Sequence, residues 1–271
     1  MPELPEVETI RTQLSTILPF EVHTATTTKE LKKDVLHTDL ALEGRTLTRA
    51  SRKGKMLDFI LDDMSHLLSH LGMTGTWLIT KERPTQKHSH LILEGQSPAG
   101  PMFLTFNDPR RFGHMYHLNQ ADAQTKLDEL GPDLASPEFT YDYMVEAFKR
   151  IPGRAIKVAL LDQKYFAGSG NYIANEICAH AGIRPTRLCA KIKKDEYPKL
   201  YHAIQQVIGG AIASGGTTFQ GGYRDTTGER GEGLSNLVVF WQKVCKLCGV
   251  TPVKKTVLAQ RGTYHCPKCQ K

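Results

Sequence analysis

Short apolar stretches alternate with polar, turn-like clusters between about residues 43 and 117 of this 271-residue chain. Within many stretches apolar and polar residues alternate, which is the pattern of a strand that buries one face. The stretches cover residues 55–61, 66–70, 76–80, 90–93, 102–106 and 113–118. Such a series of short strands predicts an antiparallel β-sandwich or barrel.

Helical spacing replaces this alternation on either side. Pro5, with Glu6 and Glu8 behind it, predicts the start of a short amphipathic helix that reaches about residue 18, because proline and carboxylates both suit a first helical turn. Between 136 and 214 apolar residues recur three and four positions apart. An example is the series Ile204, Val207, Ile208 and Ala211. The predicted fold class is therefore α+β.

Two composition changes divide the chain. Gly131-Pro132-Asp133 indicates a boundary, and the cysteines gather near the C-terminus. We expect a β-sandwich domain with a leading helix at 1–131, a helical domain at 132–236 and a small cysteine module at 237–271. Within the helical domain, glycine, threonine and charged residues dominate 215–233. That composition predicts a mobile loop rather than a packed element.

Four of the six cysteines form two close pairs, Cys245 with Cys248 and Cys266 with Cys269, separated by 17 residues. Four thiolates complete the tetrahedral coordination of Zn²⁺, which leaves no open position, so we expect one structural zinc ion. A module of this size needs the metal to fold. The spacing favours a metal site in a reducing compartment over a disulfide framework. Cys178 and Cys189 stand apart and receive no role.

Lysine and arginine number 35 against 28 aspartates and glutamates, which gives a formal net charge of +7. This excess suggests a polyanionic partner. Between the cysteine pairs, residues 260–263 predict a hairpin tip on which Arg261 is placed to meet a phosphate or enter a groove. No apolar run reaches the roughly 18 residues that span a bilayer, and the N-terminus lacks the pattern of a signal peptide. We therefore expect a cytoplasmic protein with no membrane partner.

The N-terminus carries candidate chemistry at Pro2. If Met1 is removed, Pro2 has a free secondary amine, and an α-amino group titrates near 8, below lysine at about 10.4. Attack of this amine on a sugar C1′ gives a cationic iminium, which acidifies the neighbouring C2′ hydrogens for elimination. Glu3 and Glu6 lie beside Pro2 in the sequence and could supply acid–base catalysis.

Six segments carry a resemblance to a known family, and it runs essentially end to end. They are Pro2-Glu3-Leu4-Pro5-Glu6, Arg52-Lys53-Gly54-Lys55, His70-Leu71-Gly72-Met73-Thr74-Gly75, Asp108-Pro109-Arg110-Arg111-Phe112-Gly113, Gly170-Asn171, and the cysteine module with Gln260-Arg261. Together they resemble formamidopyrimidine-DNA glycosylase, the bacterial oxidised-purine glycosylase.

The resemblance implies roles for individual residues. Pro2 would be the nucleophile, Glu3 the general acid and base at the deoxyribose, and Glu6 a further acid–base support. Lys55 would bind the phosphate next to the lesion and assist catalysis. The residues implied to fill the void left by the extruded nucleotide are Met73, Arg110 and Phe112. The implied DNA contacts are His88, Arg110, Lys157, Asn171 and Arg261, with Asn171 in a helix–two-turn–helix motif and Arg261 on the zinc hairpin.

His88 and His90 also invite a metal interpretation. No third ligand of matching spacing is visible, so we favour a hydrogen-bonding or DNA-contacting role. Three features depart from the usual family pattern. Tyr172-Ile173 has its aromatic and apolar residues in the opposite order, Gln220 stands near where some members place a lysine, and Phe240-Trp241 replaces a tyrosine–glycine pair.

The resemblance implies a monomeric, nucleoid-associated base-excision repair enzyme that acts on double-stranded DNA with oxidised bases or abasic sites. It would remove 8-oxoguanine and formamidopyrimidines and then cut the strand by β,δ-elimination. Two alternatives stay open. One is an enzyme of the endonuclease VIII type that acts mainly on oxidised pyrimidines, against which Leu4 and the void-filling residues argue. The other is a non-enzymatic zinc-containing DNA-binding protein.

Overall fold

The computed structural model describes residues 2–219 and 222–271, so Gln220 lies outside the described residues. Internal contacts divide the chain into two compact units. The sheet unit comprises the residues up to Glu129 together with Ser214–Glu232, and the helical unit comprises Leu130–Ala213 together with Gly233–Lys271. This grouping differs from the three expected domains, because the glycine-rich stretch belongs to the sheet unit and the cysteine module belongs to the helical unit.

The sheet unit combines two α-helices and a short π-helix (Leu31–Val35) with antiparallel strands. The α-helices are α1 (Leu4–Ser15) and α2 (Gln120–Asp128). The strands are β1 (Phe20–Thr27), β2 (Thr46–Lys53), β3 (Met56–Leu61), β4 (His66–His70), β5 (Thr76–Thr80), β6 (Ser89–Ser97), β7 (Gly100–Asn107) and β8 (His114–Leu118). Hydrogen bonds order them β5-β7-β6-β1-β2-β3-β4-β8 in one sheet. The six predicted stretches are confirmed as strands, while β1 and β2 were not among them.

Ring contacts show how this sheet folds over on itself. Phe59 of β3 and Trp77 of β5 lie far apart in the strand order, yet their ring centroids are 5.1 Å apart. The indole N–H of Trp77 donates to the hydroxyl of Ser69 in β4 at 3.0 Å, so this fully buried ring has its polar atom satisfied. The predicted antiparallel sandwich is therefore present. Helix α1 adds Ile10 and Leu14 to the same core.

Described residues of the glycine-rich stretch are packed in the sheet unit, contrary to the expectation of an unpacked element, while the mobility of the stretch stays a prediction. Tyr223 is 4% exposed and belongs to the core of the sheet unit. The side-chain oxygen of Gln13 in α1 accepts bonds from the backbone N–H and the hydroxyl of Thr226, at 3.0 and 2.8 Å. Buried Tyr223 and the hydrogen bonds to α1 pack the described part of this segment in spite of its low apolar content, and composition does not reveal such pairings.

The helical unit contains four α-helices in its described residues. They are α3 (Tyr141–Arg150), α4 (Ile156–Leu160), α5 (Asn171–His180) and α6 (Tyr197–Ala213). Helix α6 buries Ile204, Ile208 and Ala211, which confirms the predicted helical spacing. No helix in the described parts of the chain has the length and hydropathy that a transmembrane span needs.

A two-stranded hairpin, β9 (Lys254–Leu258) and β10 (Arg261–His265), lies between the cysteine pairs. Its turn is formed by Ala259 and Gln260, whose φ angles are +48° and +59°. Positive φ at both central residues is the geometry of a type I′ turn, which suits the twist of the flanking strands. The predicted tip is thus displaced toward the N-terminus, and Arg261 opens β10 opposite Leu258.

Candidate active site and nucleic-acid-binding elements

Pro2 and Glu3 lie at the start of helix α1, and both are buried. Glu3 is the N-cap residue and forms a reciprocal capping box with Glu6, whose carboxylate accepts the Glu3 backbone N–H at 2.6 Å. Such a box satisfies N–H groups that a helix start otherwise leaves without partners. The candidate nucleophile therefore immediately precedes a helical turn that two carboxylates hold in place.

Both carboxylate oxygens of Glu6 accept backbone N–H groups. The second bond, 2.6 Å long, comes from Thr217 in the glycine-rich stretch. Neighbouring Gly216 has φ +80°, and a Cβ there would lie 2.8 Å from the Glu6 side chain, so only glycine fits this approach. Glu6 is 1% exposed. These bonds hold the Glu6 carboxylate in place, and the acid–base support expected from the sequence stays a prediction.

Lys55 lies in the tight turn between β2 and β3, after Gly54 with φ +61°. Arg52 connects this turn to helix α1, because its guanidinium donates to the Gly54 carbonyl at 2.7 Å and to the Glu8 carboxylate at 2.9 Å. Burial opposes ionisation of Glu8, but bonds from Arg11 and Arg52 outweigh it and hold the pKa of Glu8 below its ordinary value. The Lys55 turn is thus tied to the helix that follows Pro2.

His70 at the end of β4 is a further candidate that the sequence analysis did not select. Burial, and then the nearby charges of Lys55 and His114, lower the pKa of His70 to about 4. Its Nδ1 accepts the backbone N–H of Gly72 at 3.1 Å, which places the proton of the neutral ring on Nε2. A neutral imidazole donor beside Lys55 suits contact with an anion. The sequence feature that could have selected His70 as a site residue is its position within the motif of residues 70–75.

Two loops present the three void-filling candidates, and buried Asp108 holds the loops together. One Asp108 oxygen accepts the Thr74 hydroxyl at 2.6 Å, and the other accepts the Gly113 N–H at 2.8 Å. Thr74 in turn accepts the backbone N–H of Arg110 at 3.2 Å. These bonds hold residues of 71–75 and 108–113 together as one surface, which we call the platform. The fixed donors take the place of the water that would otherwise solvate the buried Asp108 carboxylate.

Met73, Arg110 and Phe112 project from this platform. Met73 is 36% exposed and Phe112 is 48% exposed. The Arg110 guanidinium carbon lies 4.7 Å from the centre of the Phe112 ring, within cation–π range. Exposed apolar side chains that lie together mark interaction surfaces, so the cluster is a candidate insertion wedge.

His88, which ends the β5–β6 connection, and His90 of β6 have separate surroundings. Buried His90 contacts the Thr28 hydroxyl through Nδ1 and the Asp108 carbonyl through Nε2. His88 is half-buried with φ +71°, and its carbonyl accepts the Asp108 N–H at 3.1 Å. Among the described residues, the metal-compatible clusters of three or more ligands do not include His88 or His90. The hydrogen-bonding role that we favoured fits His90, and DNA contact by His88 stays a prediction.

Lys157 of α4 is fully buried, which corrects its expected role as a phosphate contact. Its ammonium donates to the Thr263 hydroxyl at 2.9 Å and to the Gly262 carbonyl at 3.2 Å. Asn171 at the start of α5 donates to the same carbonyl at 3.1 Å. A lysine is rarely fully buried unless its ammonium has partners. Lys157 therefore holds the hairpin in place, next to exposed Arg261.

Buried Glu176 of α5 holds the chain that leads into the cysteine module. Its carboxylate accepts three consecutive backbone N–H groups, from Val238, Val239 and Phe240, at 2.7, 3.0 and 2.7 Å. Burial raises the pKa of Glu176, while these bonds act in the opposite direction. The position of Trp241 directly after them is therefore fixed by the helix.

The four clustered cysteines form a compact set of metal-ligating atoms. The sulfur atoms of Cys245, Cys248, Cys266 and Cys269 all lie within 4.8 Å of one another. Two of the separations are 4.0 Å, between Cys245 and Cys269, and 3.9 Å, between Cys248 and Cys266. Tetrahedral zinc with Zn–S bonds of about 2.3 Å requires sulfur separations of about 3.8 Å. The residues present fit such an ion.

Cys178 and Cys189 take no part in this cluster. Burial raises the pKa of the Cys178 thiol to about 12 and that of Cys189 to about 11. Thiols of this kind are unreactive because the thiolate is the nucleophile. Their surroundings agree with the absence of an assigned role.

Comparison with known proteins gives the family. Residues 1–115 match the formamidopyrimidine-DNA glycosylase N-terminal domain, and residues 130–221 match the formamidopyrimidine-DNA glycosylase H2TH domain. The formamidopyrimidine-DNA glycosylase of Geobacillus kaustophilus is 36% identical, with 100% of both chains covered. That of Thermus thermophilus is 34% identical, with 100% of this chain and 98% of the relative covered.

Solved structures agree with these sequence matches. The crystal structure of the MutM (Fpg) protein from Thermus thermophilus superimposes with a TM-score of 0.87 and 32% identity, and 99% of this chain and 98% of that chain are covered. Lactococcus lactis Fpg (MutM) in complex with DNA that contains an oxidised pyrimidine gives a TM-score of 0.85 at 28% identity, with both chains fully covered. This chain belongs to the formamidopyrimidine-DNA glycosylase family of bifunctional DNA repair enzymes, which combine glycosylase and lyase activities.

Proposed function

We propose that this protein excises oxidised purines, 8-oxoguanine and formamidopyrimidines, from duplex DNA through an imine on Pro2, and then cleaves the strand at the resulting abasic site. The observation that carries the proposal is the start of α1, where Pro2 directly precedes the carboxylate box of Glu3 and Glu6. A nucleophile held on a rigid helix start needs little reorganisation to reach a reacting carbon.

The first step joins the Pro2 nitrogen to C1′ of the damaged nucleotide. The bond from C1′ to the base breaks, and the base leaves with the electron pair and takes up a proton. Glu3 is the nearest candidate to serve as acid when the sugar ring opens at O4′ and as base afterwards. Pro2 loses its amine proton as the N–C1′ bond forms, and the nitrogen lone pair then expels O4′, which takes up a proton. The product is a cationic iminium, because its nitrogen has no further proton to lose.

Strand cleavage follows from the same cation. The iminium withdraws electrons, so a proton is lost from C2′ and a C2′–C3′ double bond forms as the 3′ phosphate leaves. A second elimination then releases the 5′ phosphate. The surroundings of Lys55 and neutral His70 suit the phosphates that flank this sugar, since one provides a cation and the other a hydrogen-bond donor.

The DNA must be opened for this chemistry, because C1′ and the base cannot be reached inside the stack. Met73 and Phe112 are apolar wedges of the type that fill an unstacked step, and Arg110 lies against Phe112. Asn171 and Arg261 are the proposed phosphate contacts of the helical unit, with His88 as a further contact in the sheet unit. The proposed substrate is therefore duplex DNA with an oxidised base or an abasic site.

The cysteine cluster is proposed to hold one structural Zn²⁺ ion. Cys245, Cys248, Cys266 and Cys269 would be its four ligands, and the ion would supply folding stability to the hairpin rather than a reactive water, since four protein ligands complete its coordination. The β9–β10 hairpin, held by Lys157 and Asn171, positions Arg261.

The test of the proposed function is reductive trapping. Wild-type protein is mixed with a duplex that contains 8-oxoguanine opposite cytosine, borohydride is added, and the covalent complex is measured on a denaturing gel. We expect trapping by wild type, reduced trapping by Pro2→Gly, and slow base excision by Glu3→Gln, which keeps an acceptor for the capping box. Full activity in protein that retains Met1 by mass spectrometry would contradict the proposal, and so would the absence of any trapped complex.

A panel of defined lesions in the same assay tests the substrate class. Lactococcus lactis Fpg has been solved with DNA that contains an oxidised pyrimidine, so oxidised pyrimidines are included beside the purines. Faster excision of pyrimidines than of 8-oxoguanine would assign the endonuclease VIII type of specificity instead.

A further inference from the structure

Trp241 combines an uncommon backbone conformation with high exposure. Its φ angle is +60°, in the left-handed region that favours glycine, and its side chain is 55% exposed. A bulky residue in that conformation is strained, and such strain persists where the surrounding structure holds it in place. The bonds from Glu176 to the N–H groups of the three preceding residues provide that restraint.

A groove of about 460 Å³ lies beside this indole. It is lined by Trp241, Gln242, Lys243, Val253, Lys255 and Tyr264. The rings of Phe240 and Trp241 are nearly parallel, with a 10° angle and 6.1 Å between centroids. The Lys255 ammonium is 5.6 Å from the centre of the Tyr264 ring. The groove therefore offers a supported aromatic surface together with two exposed cations.

Charge indicates the occupant. Residues 237–271 contain seven lysines and arginines and no aspartate or glutamate, whereas residues 1–236 contain equal numbers of basic and acidic residues. The whole formal charge of +7 thus belongs to the module that carries the groove. An anionic partner with a flat apolar face satisfies both the cations and the indole, and a nucleotide has this chemistry because its base stacks on aromatic rings while its phosphates attract lysine.

We propose that this groove, formed by Trp241, Lys243, Lys255 and Tyr264, is an additional DNA site that binds an unpaired nucleotide. Trp241 stacks on the base, and Lys243 and Lys255 contact the flanking phosphates. Arg261 precedes Tyr264 by three residues on β10, so their side chains lie about 10 Å apart along the strand and on opposite faces of the hairpin. The groove is therefore separate from the proposed phosphate contact of Arg261. The inference relies on the proposed function only in taking DNA as the ligand.

Intrinsic fluorescence provides a direct test, because the chain has two tryptophans and Trp77 is fully buried. The probe is a short single-stranded oligothymidylate, titrated into the zinc-loaded full chain. We expect saturable quenching of the Trp241 emission that weakens as salt increases. Anisotropy of a labelled oligothymidylate should show about tenfold weaker binding by Trp241→Gly and near wild-type binding by Trp241→Phe. Lys243→Gln and Lys255→Gln should each lower the salt slope by about 0.7.

Val257→Ala is the matched control, because Val257 is 76% exposed on the same hairpin but does not line the groove. It should bind like wild type, and zinc content should be equal in all variants. Absence of quenching, or wild-type affinity in Trp241→Gly, would overturn the inference. Equal weakening by Val257→Ala would do so as well, since it would indicate a general apolar surface that suits a protein partner. Reductive trapping by wild-type protein is measured in parallel and reports on the proposed function separately.

Discussion

Lys55 and Lys157 carry the same ammonium group in different surroundings. Lys55 lies in a turn beside His70 and lowers the pKa of that ring. Lys157 is fully buried, and its donors are used by Gly262 and Thr263. The first suits contact with an external phosphate and the second is a structural anchor. Residue type alone does not separate these roles, because both lysines are phosphate contacts in the interpretation that the family resemblance suggests.

Arg110 is expected to read the base opposite the lesion. A guanidinium has only donors, cytosine offers O2 and N3 as acceptors on its pairing edge, and adenine offers N1 beside an amino donor. A mismatched contact costs about 1–3 kcal/mol. We expect 8-oxoguanine to be excised roughly tenfold to a hundredfold faster opposite cytosine than opposite adenine, as measured by single-turnover kinetics.

Arg110→Ala should remove most of this preference, and Met73→Ala should mainly weaken binding of the lesion duplex. Both side chains are exposed, so neither change should unfold the sheet unit. An undiminished preference in Arg110→Ala would show that another group reads the partner base.

His70 should make the unfolding free energy decrease as the pH falls. Its folded-state pKa is lowered from 6.5 to about 4, mainly by burial, so the unfolded chain binds a proton more readily. The stabilisation is therefore fully present above pH 6.5 and is lost as the pH falls toward 4. Between pH 7.5 and 4.5, wild type should lose about 2–3 kcal/mol more of its unfolding free energy than His70→Asn does.

Urea titrations at the two pH values measure this difference. His23→Asn is the control, since the His23 side chain is 52% exposed in the same unit. An equal loss of unfolding free energy in His70→Asn and wild type would show that His70 does not contribute to the acid dependence.

At the scale of elements, buried polar groups of α4 and α5 hold the β9–β10 hairpin. The Gly262 carbonyl accepts bonds from Lys157 and Asn171, and the Asn175 side-chain oxygen accepts the Tyr264 N–H at 2.7 Å. The turn residues Ala259 and Gln260 have positive φ. Packing against the helices therefore fixes a hairpin whose own turn sequence lacks the usual asparagine or glycine.

Lys157→Met and Arg261→Ala should separate positioning from direct contact. Lys157→Met removes a buried donor from Gly262 and Thr263, so the unfolding free energy should fall by about 1–3 kcal/mol. Arg261→Ala changes an exposed residue and should leave stability nearly unchanged. It should lower the salt slope of duplex binding by about 0.9, the loss of one phosphate contact.

Thermal unfolding and DNA titrations at several salt concentrations give the two quantities. The salt slope of Lys157→Met should match that of wild type under conditions where the variant is folded. A slope reduced by about one unit in Lys157→Met would restore the direct phosphate contact that the sequence suggested.

At the scale of the whole molecule, the net charge and the candidate nucleophile lie in different parts of the chain. The net positive charge lies in residues 237–271, while the candidate nucleophile lies at Pro2 in the sheet unit. We therefore expect electrostatic attraction to DNA to be concentrated in the module that carries the four clustered cysteines. Zinc should accordingly control affinity for DNA without supplying a group to the reaction.

Zinc removal by a chelator, or Cys248→Ser, should abolish duplex binding and leave the sheet unit folded. In a Trp241→Phe background the remaining tryptophan is Trp77, buried in the sheet unit, so its emission reports on that unit alone. We expect unchanged Trp77 emission together with loss of DNA binding by anisotropy. Duplex affinity that survives verified zinc loss would contradict the structural role of the metal.

The sequence by itself determined the features that depend on local order. Six strands followed from two-residue alternation, α6 from helical spacing, and the cysteine cluster from two short spacings. The proposal for Pro2 and Glu3 also came from consecutive residues. Strand β1 was not predicted, because a histidine, an alanine and three threonines follow its first three residues, and pairing with β6 forms it.

Only the tertiary structure decided which polar groups form hydrogen bonds inside the protein. It paired Glu6 with Thr217, Asp108 with Thr74 and Gly113, and Glu176 with the chain before Trp241. It also buried Lys157 and left Trp241 exposed in a left-handed conformation. Many partners of this kind lie from a few tens to about two hundred residues apart in the chain. Local patterns report the burial of a face, whereas the partner of a buried charge depends on which distant segment the folded chain brings to it.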